Sequence, residues 1–154
     1  MKHYVLGFVF NRYRDKVLLI EKKRPAWQAG HWNGIGGKIE DVVPRRYGRT
    51  FETPGEAMVR ECLEETKLCE LGIGACFEHA ITMLCDGGTV FIYRVFCNEE
   101  DIPFMQVEDE VLKAWSVSEL PEKMMVNCKW MIEICLANHI KYPVIVQQNG
   151  YGVE

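Results

Sequence analysis

The stretch GEAMVRECLEET, residues 55–66, crowds four glutamates and one arginine into a short run. At about 100° per residue, Val59, Cys62, Leu63 and Thr66 gather on one side of a helix, and Glu61, Glu64 and Glu65 fall within an arc of about 100° nearly opposite. Like charges at i, i+4 cost an isolated helix about 0.2–0.5 kcal/mol per pair, and Glu61 faces Glu65 in that way. Arg60 points about 100° away from Glu61 and does not neutralise all three carboxylates from its own position. A hard divalent cation, Mg²⁺ or Mn²⁺, does so, and it typically bridges one or two carboxylates to substrate phosphates. A merely solvated acidic face is the plain alternative. Against that stands GIGGK, residues 34–38, a glycine-rich turn ending in lysine that offers backbone groups and one cation to a phosphate chain. Together the two features describe metal-assisted phosphate chemistry.

The chain of 154 residues, 48% hydrophobic with a formal net charge of −4, has room for one domain with a sizeable core. Its acidic balance argues against a phosphate-tracking surface, which excludes duplex nucleic acid as the expected partner. The seven cysteines are odd in number and form no CxxC pair or zinc-finger spacing, so reduced thiols in a cytoplasmic protein are expected. The amino terminus alternates apolar residues without a cleavage site and reads as a strand rather than a signal peptide. No stretch approaches the roughly 20 apolar residues that span a bilayer. Monomer and homodimer are both left open.

The elements that must position these residues follow from local pattern. YVLGFVFN (4–11) and KVLLIEK (16–22) flank the polar RYRD and predict a hairpin. The glycine-dense 24–40 suits a loop leading into a short strand, and 41–51, with Pro44, Gly48 and three arginines, reads as a surface loop. Thr53 as N-cap, Pro54 at the first helical position and Glu56 three residues after the cap start a helix at Pro54. GACFEHAITMLC and TVFIYRVFCN around Asp86-Gly87-Gly88 predict a second hairpin with a turn suited to positive φ. VLKAWSV (111–117) predicts a further strand, and 126–140 a second helix with Trp130, Ile134 and Ala137 at helical spacing. Residues 141–154 form either a last strand or a tail. The order implies an α+β fold, an α/β/α sandwich with a mixed sheet between helices.

The segment GGKIE followed by E-TPGEAMV-RECLEETKL resembles the Nudix hydrolase signature, G-x5-E-x7-R-E-U-x-E-E-x-G-U with U aliphatic. Glu52, Arg60, Glu61, Cys62, Glu64, Glu65 and Leu68 match in order. Two departures stand out. Fourteen residues separate Gly37 from Glu52, nine more than the five of the signature, which marks an insertion around 41–51 in one domain over 1–154. Such a loop costs little closure entropy and need not disturb the helix. Lys67 replaces the glycine that ends the family's helix in a left-handed conformation, at a cost of about 1 kcal/mol; the helix is expected to continue instead through Leu68.

The resemblance to Nudix hydrolases of the MutT-like kind implies roles residue by residue. Glu61, Glu65 and Glu64, with the carbonyl of Gly37, would hold Mg²⁺ or Mn²⁺. Glu64, with Glu61 in reserve, would take the proton from water. Arg60 would fix the glutamates with Glu52 as its partner, and Lys38 would contact phosphate. The implied substrate is a nucleoside diphosphate linked to another group: a nucleoside or deoxynucleoside triphosphate first, ADP-ribose or a nucleotide sugar as the alternative. A catalytically silent nucleotide sensor is the rival of another class, against which three crowded carboxylates speak. For the base, Trp27 and Trp32 are candidates for stacking or for core packing. Asn127 is either a base contact or an N-cap. Glu108-Asp109-Glu110 reads as a metal ligand, a base-reading carboxylate or a solvated loop, and Arg45-Arg46-Tyr47-Gly48-Arg49 as a phosphate contact or a basic surface.

Overall fold

A computed structural model describes residues 2–40, 52–68 and 76–149. The predicted insertion, and with it the three arginines, lies outside the described residues.

The strands are β1 (Lys2–Phe10), β2 (Lys16–Glu21), β3 (Trp32–Asn33), β4 (Ile35–Lys38), β5 (Glu78–Cys85), β6 (Gly88–Phe96), β7 (Val111–Ser116) and β8 (Val144–Gln148), with helices α1 (Pro54–Thr66) and α2 (Cys128–Leu136). They form one mixed sheet in the order β3-β2-β1-β6-β5-β8, with β4 pairing β1 and β7 pairing β2. The expected hairpin is present through Val9 opposite Leu18 and Phe10 opposite Val17. Beyond those pairs β1 leaves β2, running parallel to β6 along its length and antiparallel to β4.

Side chains on β1 and β2 alternate between two cores. Val5, Val9, Leu18 and Ile20 join Ala57, Met58 and Cys62 of α1. Phe8, Phe10, Val17 and Leu19 join Cys128, Met131, Ile132 and Cys135 of α2. Burial on both faces explains why these strands read as continuous apolar runs, and it makes the sandwich of sheet between helices. At Gly7 a Cβ would meet Met58 Cε at 2.7 Å, so glycine there lets α1 lie close to β1.

Three expectations change, and one open alternative is decided. The Asp86-Gly87 turn forms, but neither Gly87 nor Gly88 takes a positive φ. Helix α2 stops at Leu136 rather than 140, because the chain extends at Ala137 and the Tyr142 hydroxyl lies 2.6 Å from the carbonyls of both Ile134 and Ala137, satisfying the helix end. Residues 144–148 are a strand, parallel to β5. Helix α1 ends at Thr66 instead of running through Leu68. Lys67 takes the left-handed conformation itself, at φ 63, with its N–H bonded to the Leu63 carbonyl, and the Thr66 hydroxyl receives the Leu68 N–H at 3.1 Å.

Candidate active site

Helix α1 begins as its sequence requires. Thr53 and Glu56 exchange side-chain and backbone hydrogen bonds in a capping box, with Pro54 following. Ahead of it, the Glu52 N–H bonds to the Glu40 carbonyl and the Glu40 N–H to Glu52 Oε1, both at 3.0 Å. Residues 40 and 52 are thereby tied together on either side of 41–51, and α1 is set over β4 and β1.

The helix wheel placed all three glutamates opposite the core, and the structure corrects this. The buried face is Ala57, Met58, Cys62, Glu65 and Thr66, and Val59 and Leu63 are only partly covered. Glu65 is 7% exposed, whereas the Glu64 side chain is 51% exposed. The Glu61 and Glu65 carboxyls act directly on one another, and among the described residues no group of three or more Asp, Glu, His or Cys side chains is placed to hold a metal. Three expected carboxylates become a buried pair and one solvent-facing neighbour.

Arg60 reaches further than its wheel position suggested, because its long side chain curls back along the helix. It contacts Glu52 Oε1 at 2.6 Å, Glu61 Oε1 at 2.9 Å and Glu64 Oε2 at 3.4 Å, and donates to the Lys38 carbonyl at 3.0 Å. Burial works against charge on Glu52, but the bonds from Arg60 and from the Glu40 N–H outweigh it and hold its carboxyl below the usual range. The Glu52 bond, with help from Glu61, keeps Arg60 even more firmly protonated than usual. This fork locks the end of β4 to the middle of α1.

Glu65 has no comparable partner. Burial, reinforced by Glu61 and only partly opposed by Lys22, pushes its carboxyl up to about 9. Burial likewise raises Glu61, with Arg60 opposing. Glu65 Oε2 is a buried oxygen with no hydrogen-bond partner, which costs free energy unless a donor or cation meets it. A Cβ placed on Gly37 would overlap the Glu61 carboxylate, so backbone and acid are pressed together. Two oxygen-rich carboxylates, one with a spare buried lone pair, fit a hard divalent cation.

Next to the Gly36-Gly37 strand opens a cavity of about 280 Å³, bounded by Tyr4 and Leu6 of β1, Met83 and Val90, Met125 and Met131, and by Lys22, Trp27, Asn33 and Asn127. Gly37 belongs to both the cavity wall and the acidic pair. A ligand filling the cavity therefore reaches the carboxylates across one residue.

A family model for the NUDIX domain matches residues 1–131. The chain belongs to the Nudix family of pyrophosphohydrolases. The Nudix fold is shared with MutT from work on Aliivibrio salmonicida and Vibrio cholerae, at 21% identity and TM-score 0.58 over 87% of this chain and 96% of that one. A bifunctional NMN adenylyltransferase/ADP ribose pyrophosphatase of Francisella tularensis, complexed with AMP and a manganese ion, matches at 18% identity and TM-score 0.64 over 88% of this chain and 41% of that one. The NUDIX domain of Shewanella oneidensis NrtR, complexed with ADP ribose, matches at 17% identity and TM-score 0.59 over 86% and 84%. No curated protein sequence matches significantly.

Of the Nudix residues named from sequence, Gly37, Lys38, Glu52, Arg60, Glu61, Glu64 and Glu65 come together around the junction of β4 and α1. Trp27, 48% exposed, and Asn127 border the cavity. Trp32 does not border it: its ring packs edge-on to Trp115 at 5.1 Å, and its backbone pairs with Lys123 and Met125. Asn127 is no side-chain cap; its Oδ1 instead accepts from the Trp130 indole N–H at 3.0 Å. Glu110 is not solvated. Buried to 4% exposure, it accepts from the Lys23 N–H at 2.6 Å and from Lys22 Nζ at 3.3 Å. Sequence reasoning missed Lys22 and Asn33, and named Glu110 without its partner Lys22. Asn33 stands directly before the glycine turn, a signal that adjacency alone could have supplied; the Lys22–Glu110 pair is long-range and left none.

Proposed function

We propose that the chain hydrolyses a nucleoside or deoxynucleoside triphosphate to the monophosphate and pyrophosphate, with Mg²⁺ or Mn²⁺ held by Glu61 and Glu65 beside the carbonyl of Gly37. The observation that carries the substrate is the cavity. Its volume of about 280 Å³ lies at the small end of ligand sites, which run from about 300 to 1,000 Å³. It suits one nucleoside, not a nucleoside with a second sugar. The AMP and manganese of the Francisella neighbour lend support to a nucleotide and a divalent ion in such a fold.

When bound, the ion supplies Lewis acidity, offsetting charge on phosphate oxygens and easing deprotonation of water. The rest falls to this chain's own side chains. Trp27 and the methionines enclose the base and keep water from it, and Asn33 and Asn127 orient it. Lys38 and Lys22 draw the phosphate chain across the glycine strand. Arg60, anchored by Glu52, holds Glu61 where it is needed. Glu64, turned to solvent, accepts the proton of the water that attacks phosphorus, and passes it to bulk.

Nucleotides incubated with the protein and Mg²⁺, with products separated by mass, test this reading. Monophosphate plus pyrophosphate from a triphosphate is expected. Turnover of ADP-ribose with triphosphates untouched would shift the assignment to the nucleotide-sugar reading. Tight nucleotide binding without any turnover would favour the silent sensor.

A further inference from the structure

Two asparagines border the cavity, and in each the side-chain oxygen is already engaged. Asn33 Oδ1 accepts from the Gly34 N–H at 2.8 Å and from the Cys128 thiol at 3.1 Å. Asn127 Oδ1 accepts from the Trp130 indole N–H at 3.0 Å. A peptide N–H and an indole N–H only donate, so each fixes which end of its amide is the oxygen. A carbonyl oxygen has two lone pairs. On Asn33 both are filled, and what remains for a ligand is the amino group.

Cys128 supplies the second of those bonds. It begins α2, is 1% exposed and borders the cavity. Burial pushes its thiol up to about 12, so at neutral pH it keeps the hydrogen that it donates.

We propose that Cys128 is a positioning residue that makes Asn33 a pure donor, and that the cavity thereby selects a nucleobase presenting a carbonyl oxygen where another base presents an amino group. This rests on the nucleotide reading above and sharpens it to a class of base. An amino-bearing edge sets donor against donor at Asn33 and leaves both unpaired, which is a stronger discrimination than a missing contact. Opening the second lone pair of Asn33 lets the amide accept as well as donate, and the rejection weakens.

Inosine triphosphate and ATP differ chiefly by an oxo or an amino group at one ring position, and UTP and CTP form the matching pyrimidine pair. Values of kcat/KM with Mg²⁺ are compared across each pair for wild type, Cys128→Ala and Cys128→Ser. Wild type prefers the oxo member of each pair by at least about fivefold. Cys128→Ala lowers that preference by about fivefold, with the change falling on KM more than on kcat. Cys128→Ser, whose hydroxyl donates to the same oxygen, restores most of it. Because each value is a ratio, partial unfolding of a variant cannot imitate the effect. A preference unmoved in Cys128→Ala, or a wild type favouring the amino members, overturns the role of Cys128 and leaves triphosphate hydrolysis standing. Failure of wild type to hydrolyse these four, GTP or their deoxynucleotide counterparts overturns both.

Discussion

A Cβ on Gly37 would occupy the place of the Glu61 carboxylate. The glycine turn and the acidic helix, separate signals in the sequence, are thus a single contact in the fold. Gly37 is not needed for a left-handed backbone; it is needed because an acid must lie against the strand.

Gly37→Ala therefore displaces Glu61 from its 2.9 Å contact with Arg60. The group that moves is the end of a side chain, so stability should change by less than about 1 kcal/mol. Misplacement of a catalytic group by about 1 Å costs on the order of 10²-fold in rate, and kcat should fall by that much. Thermal melting and kinetics on the same preparation check both parts. A variant as active as wild type would show that the contact has no functional weight.

Glu65→Gln separates a carboxylate's two roles. Burial, with Glu61 beside it, raises the Glu65 carboxyl to about 9, so without metal it is protonated at neutral pH and glutamine imitates it. At pH 7 the metal-free variant should then be more stable than wild type, whose Glu65 must take up a proton to fold, while stabilisation by Mn²⁺ should be lost. The folded protein binds this proton more tightly than the unfolded chain, so metal-free wild type loses stability as pH rises from the unfolded carboxylate range through about 9. Glu65→Gln should lack that decline. Melting temperatures from pH 6 to 9.5 with EDTA, and again with Mn²⁺, measure all three effects.

The sequence made some of this legible and withheld the rest. Residues 53–56 announce the start of α1 because capping is local chemistry, read within one turn. The spacing from Glu52 to Leu68 placed the acids on one helix. Whether Glu65 is buried depends on what the sheet lays against it, and a wheel that sees only its own helix cannot know this. Arg60 was underrated for a related reason: a Cα direction does not bound where a guanidinium on a long stem can reach. Trp32 and Trp27 looked alike five residues apart, yet Trp32 is claimed by Trp115 from β7, a contact between distant segments. The glycine missing at residue 67 led to a longer helix than forms, because the backbone accepted a left-handed lysine at modest cost.

Arg60→Lys keeps the charge and loses the fork. Lysine cannot hold Glu52, Glu61 and the Lys38 carbonyl together, so the variant should lose about 2 kcal/mol of stability, in the range for hydrogen bonds to charged groups. Its activity should fall with kcat rather than KM, since no substrate group is removed. Urea denaturation and steady-state kinetics report the two. An unaffected kcat would mean that Arg60 only ties β4 to α1.

Thiol reactivity should divide by burial. Cys76 is exposed, while Cys128 and Cys135 are buried, and burial raises both of the latter to about 12. Alkylation of the native protein at pH 8, followed by peptide mass spectrometry, should label Cys76 within minutes and leave Cys128 and Cys135 unlabelled until denaturant is added. Early labelling of Cys128 would mean that the cavity wall opens readily.

The central claim is that Glu61 and Glu65 meet a divalent cation beside Gly37, and anomalous diffraction at the manganese edge from crystals grown with Mn²⁺ tests it most directly. An anomalous peak within coordination distance of both carboxylates is the predicted result. A peak bound elsewhere, with no ion between Glu61 and Glu65, would contradict the account.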